Sequence, residues 1–191
     1  RAISNLINGF VNRLDIDRET EVTMEGSQDT ITQEKINAAK NAGVTRFSVG
    51  VQTFDERILH ACNRRHTRRD AEDAIALLKR ADFREVNIDL MRGLPHQTLE
   101  GFMSDLFQVI NYEPETITVY RMRVMRKDEL RAAFENIEQS VLPSIEEACA
   151  MQYAADQILA ESGYKRQHTA SWSKTTSQVF EDRWQQQIPL I

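Results

Sequence analysis

Cysteine is scarce in this chain. It has two among 191 residues, Cys62 and Cys149, too far apart to form a Cys-x2-Cys pair. Two distant thiols argue against a disulfide framework and against a cysteine metal site, and they fit a reducing cytoplasm. Long apolar runs are also missing. None approaches the roughly 18 residues that a membrane helix needs, and the opening RAISNLINGFVNRL lacks the apolar core of a secretory signal. Neither sign of charge dominates. With 24 basic and 29 acidic residues the net charge is −5, so nothing draws the chain to nucleic acid or an acidic membrane. The basic cluster Arg64-Arg65-His66-Thr67-Arg68-Arg69 is local and reads as a solvated loop before a helix. No Walker motif, GxGxxG or nucleophile elbow occurs, and no His/Asp/Glu spacing suggests a metal. His60, His66, His96 and His168 read as surface or internally satisfied histidines, and Cys62 as a helix-packing residue.

What is present is a rhythm. Ile3, Leu6, Ile7, Phe10, Val11 and Leu14 recur at helical spacing. A short strand is expected at Glu21–Glu25. The helix TITQEKINAAKNAG follows, with a threonine cap and a glycine stop. TRFSVGVQTF is a second strand, RRDAEDAIALLKRAD a helix, and VNIDLMRGLP a third strand. TLEGFMSDLFQVINY is a helix capped by Thr98, and ETITVYRM a fourth strand. Strands alternating with helices of this length imply βαβ crossovers and a parallel sheet. After Arg126 the rhythm changes. DELRAAFENI and SIEEACAMQYAADQILAESG read as helices, the second stopping at Gly163, and the polar tail carries no assignable pattern. Residues 1–126 are therefore expected to form one α/β unit and 127–191 a mainly helical extension.

Side-chain parity separates the strand residues into two faces. One face carries Val22 and Met24, then Phe47, Val49 and Val51, then Val86, Ile88 and Leu90, then Ile117 and Val119. The other carries Thr23 and Glu25, Ser48, Gly50 and Gln52, Asn87 and Asp89, Thr118 and Tyr120. A parallel sheet is usually apolar on both faces. A sheet open to water on one side would explain the second face. So would an open partial barrel around a polar ligand, and the heights favour it: Glu25, Gln52, Asp89 and Tyr120 fall near strand C-terminal ends, where α/β folds bind ligands. A carboxylate accepts from an ammonium or a ribose diol, glutamine donates and accepts, and an arginine such as Arg64 forks onto a carboxylate. Glu25, Gln52, Asp89 and Arg64 would together suit an amino acid joined to a ribose, although spacing alone leaves Arg64 as a solvated loop residue.

Three motifs in order carry a family resemblance: Gly50-Val51-Gln52-Thr53-Phe54, Asn63-Arg64-Arg65-His66 and Asn87-Ile88-Asp89-Leu90-Met91-Arg92-Gly93-Leu94-Pro95-His96-Gln97-Thr98. From Glu21 to Val124 the chain resembles the HemN-like radical S-adenosylmethionine (SAM) enzymes, of the oxygen-independent coproporphyrinogen III oxidase type. The resemblance implies a partial (β/α) barrel, four of whose parallel strands are here, and SAM and a 4Fe-4S cluster as cofactors. It implies Glu25 as a contact to a first SAM, and Gln52, Arg64 and Asp89 as contacts to a second. Arg64 would meet the carboxylate and Asp89 the ribose hydroxyls, with Tyr120 and Arg123 lining the cavity. Family members include coproporphyrinogen oxidases, haem chaperones and class C methyltransferases. The stretch TVYRMRVMRKDELRAAF differs from that of an oxidase, and the expectation is radical methyl transfer or a related carbon transfer. The alternatives are coproporphyrinogen oxidation, a non-catalytic haem chaperone and a cluster-less SAM-binding module. A small-molecule substrate, a tetrapyrrole or a natural product, and an external electron donor would be the partners.

Two family features are missing from these residues: the Cys-x3-Cys-x2-Cys loop that holds the cluster and the glycine-rich strand that grips the SAM amino group. The chain, which opens on Arg1, reads as the middle and C-terminal part of a longer enzyme, with the cluster expected only in the full-length protein. These 191 residues alone are expected to hold no cluster and cleave no SAM. Anaerobic iron–sulfide reconstitution followed by a 5'-deoxyadenosine assay checks this. Stoichiometric iron together with product would refute it.

Overall fold

A computed structural model of the chain describes residues 2–14, 20–122 and 141–175. The expected rhythm is there: α1 (Ala2–Leu14), β1 (Thr23–Gly26), α2 (Gln33–Asn41), β2 (Arg46–Gln52), α3 (Glu56–Ala61), α4 (Arg68–Arg80), β3 (Glu85–Arg92), α5 (Leu99–Asn111) and β4 (Thr116–Arg121). Strand β1 lies slightly later than the sequence suggests, and α3 is a short extra helix hidden in the loop before the basic cluster. Two predicted helix starts are confirmed in detail. The Thr32 hydroxyl accepts from the Lys35 amide, and that of Thr98 from the Gly101 amide. Thr67 and Asp70 close a capping box on α4. Gly43 and Gly163 end their helices at φ of 92° and 83°, a left-handed conformation that glycine adopts without a Cβ penalty.

Strands β1 to β4 are parallel and lie side by side in sequence order. After residue 141 come α6 (Ile145–Glu161), β5 (Tyr164–Arg166) and β6 (Ser171–Lys174). The expected helix is α6, opened by a Ser144–Glu147 capping box. The tail beyond it, which carried no sequence pattern, forms an antiparallel hairpin that continues the sheet in the order β4-β6-β5. Trp172 reveals why. It stands opposite Ile117, is almost fully buried, and has the Arg166 guanidinium 4.9 Å from its ring centre. A single large aromatic in a polar stretch is enough to anchor a strand but leaves no periodicity to read. The boundary after Arg126 and the helix DELRAAFENI lie outside the described residues. Among the described residues no helix is long and apolar enough to cross a membrane.

The core sits on the predicted apolar face. Val49, Val51, Ile88, Leu90, Ile117 and Val119 are all buried there. They belong to one cluster with Ala71, Ile75 and Leu78 of α4, Phe102 and Leu106 of α5, and Met151 and Leu159 of α6. Helix α1 is less committed: Ile7 packs on the core, but Leu6 and Phe10 are exposed.

One buried acid ties this packing together. Asp105 of α5 accepts from the Thr53 hydroxyl at 2.7 Å and from the Phe54 amide at 3.0 Å, joining the turn after β2 to a helix four elements later. Burial pushes its carboxyl from 3.8 up to about 6, while the bonds from Thr53 and Phe54 pull the other way. Between those two values the folded protein holds the proton more readily than the unfolded chain. This group's contribution to stability is therefore full below pH ~4 and is lost as pH rises to about 6. The difference in unfolding free energy between wild type and Asp105→Asn should accordingly shift against wild type by about 2–3 kcal/mol from pH 4 to pH 7. Denaturant titrations across that range measure it, and a flat difference would mean the carboxyl titrates normally.

Candidate functional site

The second face of the sheet is polar from end to end, yet most of it is not open. At its base Glu85, 2% exposed, pairs with the Arg46 guanidinium at 2.7 Å and accepts from the Thr116 hydroxyl at 2.7 Å. One step up, Asn87 is 1% exposed and fully engaged. Its amide donates to Ser48 Oγ at 2.9 Å and to Asp89 Oδ1 at 2.7 Å, while its oxygen accepts from the Thr118 hydroxyl at 2.9 Å. Ser48 in turn donates to Asp89 Oδ2 at 3.2 Å. Ser171 and Ser173 of β6, opposite Thr118 and Thr116, carry the polar stripe onto the hairpin. Buried polar groups are tolerated when each is bonded, and here they are stacked so that one step supports the next. Asn87, which parity placed in the cavity, instead lies beneath it and holds Asp89.

Above this stack the strands' C-terminal ends open into a cavity of about 560 Å³, lined by Glu25, Ser48, Gly50, Gln52, Arg64 and Asp89 together with the loop Ser27–Asp29 and the segment Asn63–His66. Four of the six residues expected at a site, Glu25, Gln52, Arg64 and Asp89, thus share one cavity. Tyr120 is not part of the lining. It is half exposed nearby, and its hydroxyl is pushed up by burial and then by the charges of Asp89 and Glu25. Arg123 lies outside the described residues.

Each lining side chain has a local cause. Asp89 sits opposite Gly50 on β2, whose missing side chain leaves room above it. Burial pushes the Asp89 carboxyl up, and the Asn87 and Ser48 donors oppose this. With Thr118 as a third donor, those bonds still leave part of the carboxylate's acceptor capacity unused, and Asp89 lines the cavity. Gln52 follows a slip in the β2–β3 register and has φ +71°. Its amide nitrogen folds back over Gly50, where a Cβ would lie 2.7 Å from it, and its Oε1 is buried with no partner among the described residues. Arg64 is delivered by the end of α3. Asn63 takes φ +53°, the Asn63 amide bonds the His60 carbonyl and the Arg64 amide the Leu59 carbonyl. This is a Schellman turn with asparagine in the left-handed place. The basic cluster is therefore partly a cavity wall. His66 is half-buried there and its ring is pushed toward the neutral form, chiefly by burial.

Sequence reading missed the loop after β1. Gln28 is buried and its amide donates to the Gly50 carbonyl at 2.7 Å, just past the end of the β1–β2 pairing. Only an isolated glutamine after a strand marked it, which is too little signal. Arg46 and Glu85 were missed because they lie at the strand starts, away from ligand-binding ends.

Cluster chemistry finds no donors here. Cys62 is half-buried with its thiol pushed up by burial, and Cys149 is exposed on α6. Among the described residues no three His, Cys, Asp or Glu side chains converge on a possible metal position. A 4Fe-4S cluster does not fit the residues of this chain.

The polar cavity lies at the C-terminal ends of the parallel strands, where α/β folds bind ligands. A family model described as the radical SAM superfamily matches residues 5–106. The chain belongs to the radical SAM superfamily. It is 32% identical over 173 residues to the heme chaperone HemW of Buchnera aphidicola subsp. Acyrthosiphon pisum, covering 91% of this chain and 44% of that one. With the heme chaperone HemW of Escherichia coli K12 the identity is 31%, at the same coverage. The solved coproporphyrinogen III oxidase HemN of Escherichia coli shares the fold, with a TM-score of 0.85 over 96% of this chain and 42% of that one at 22% identity. The chain thus spans less than half the length of the curated relatives it matches. The superfamily's cofactors are SAM and a 4Fe-4S cluster. Expected methyl transfer is not supported by these relatives, which are named heme chaperones.

Asn87 is the tie between the stack and the cavity, so Asn87→Ala should strand Ser48, Thr118 and Asp89 at once. The expected loss is about 1–3 kcal/mol in urea unfolding. A loss below about 0.5 kcal/mol, the level of ordinary surface substitutions, would mean that the stack is solvated.

Proposed function

We propose that this chain provides a SAM-binding site in a HemN-like protein that handles haem or its precursors. Asp89 carries the reading: it is a largely buried carboxylate, fixed by Asn87 and Ser48 at the floor of the cavity, with acceptor positions to spare for a ribose diol. Around it, Arg64 offers a fork for the ligand's carboxylate, and Gln52 has a buried oxygen without a partner among the described residues. Glu25, across the same cavity, suits the cationic end of a zwitterion. The cavity volume lies in the range of small-molecule sites. SAM so held supplies a radical only when it meets a reduced cluster, whose ligands must come from outside these residues.

The role in haem handling leans on the relatives' names and displaces methyl transfer as the favoured reading. A chaperone and an enzyme of this branch make different demands. The chaperone reading expects tight haem binding by the full-length protein, seen as a shifted absorbance band on titration. A full-length protein that binds SAM, ignores haem and incorporates the SAM methyl group into product would restore the methyl-transfer reading.

Calorimetric titration of SAM into this chain tests the site itself. Asp89→Ala should weaken binding about 10–100-fold, the value of hydrogen bonds to one charged group. Asp89→Asn should fall between it and wild type. Unchanged affinity in Asp89→Ala would remove Asp89 from the site and the proposal with it.

A further inference from the structure

Gln52 occupies an unusual place. The Thr53 amide bonds the Val51 carbonyl at 2.9 Å while Gln52 between them has φ +71°. A three-residue turn with a positive central φ is the rare, strained γ-turn. Glycine would adopt it readily, but here the residue carries a side chain. Strain of this kind persists only where the surroundings over-determine it.

The surroundings are identifiable. Upstream, the Gln28 amide holds the Gly50 carbonyl. Downstream, both residues that follow Gln52 end on one carboxylate, Asp105, through the Thr53 hydroxyl and the Phe54 amide. The Thr53 hydroxyl also accepts from the Asp55 amide at 3.1 Å, and Phe54 stacks on Tyr112 at 6.5 Å. Thr53 is 1% exposed and Asp105 5%. Asp105 is not part of the cavity lining. A buried acid is costly, and core packing alone has no use for one.

We infer that Asp105 is a positioning residue for the cavity: by gripping Thr53 and Phe54 from α5 it keeps the strained turn closed and the Gln52 side chain folded over Gly50. It acts through Gln52 and touches no ligand. The inference deepens the SAM reading of this cavity and rests on it for the identity of the ligand. The geometry it concerns can be read without ligand.

The test has two arms on the intact chain, at temperatures well below each variant's Tm. In the first, SAM affinity is measured by calorimetry for Asp105→Ala, Asp105→Asn and Thr53→Val. Releasing the turn in Asp105→Ala should weaken binding about tenfold or more, the size of a strained position let go. Asp105→Asn, which can still meet both partners, should stay within about threefold of wild type. Thr53→Val should lie between and serves if Asp105→Ala does not fold. A lowered Tm with unchanged affinity in both Asp105→Ala and Thr53→Val would reduce Asp105 to a structural residue and overturn the inference. In the second arm, NMR without ligand follows the Gln52 side-chain amide and the exchange of the Phe54 amide. Both should change in Asp105→Ala, and an unmoved Gln52 amide would likewise overturn it. Failure of the wild-type chain to bind SAM would sink the proposed function, while the NMR arm still decides whether Asp105 holds the turn.

Discussion

The Asn87 amide bonds two oxygens on neighbouring positions while its own oxygen is taken by Thr118. Much else depends on that arrangement. A parallel sheet covered by helices on one face can keep a polar second face only if each buried group finds a partner. In this protein the partners come from adjacent strands, so the register of β2, β3 and β4 is a condition for the stack. Shifting one strand by a single residue would send its polar side chains into the helix-packed core and its aliphatic ones onto the stack. The same register that buries Ile88 and Ile117 also aligns Ser48, Asn87 and Thr118, and it sets Asp89 above them.

Much of this was legible in the sequence because it rests on period two. Alternation in VNIDL and TITVY separated the faces correctly, and threonine and glycine at helix ends marked where strands stop and helices start. Glu25, Gln52 and Asp89, which combine that parity with position at strand ends, line one cavity, whereas Arg64, which joins them there, has no parity and is favoured only by the family resemblance. What escaped has no period. Gln28 and Asp105 act on groups of β2 and the turn after it, and their value appears only when β2 and its following turn have been brought against them. Asn87 was seen but placed one step too high, since parity assigns a face and says nothing about depth. Strand β6 hides in a polar tail because one tryptophan supplies most of its burial.

The chemistry divides along the same line. The cavity floor and walls are built by residues of this chain, whereas three thiolates for a cluster are not among them. The cavity and any cluster site are thus separable, at least in where their residues come from. Asp89 at the cavity floor is wired into the sheet's own stability through Asn87 and Ser48, whatever ligand the cavity takes.

The wall of the cavity has an uneven tolerance for change. Gln52 sits in a left-handed turn, and Arg64 is the residue immediately after a left-handed Asn63. Their aim comes from chain direction more than from contacts of their own side chains. Swapping either side chain for one of similar length leaves that aim intact. A one-residue insertion in either short connection would swing the side chain away from the cavity, with the helices and strands on both sides still in place. Drift in this family should therefore be freer in residue type than in loop length around β2, so that spacing is the more heritable property of this site.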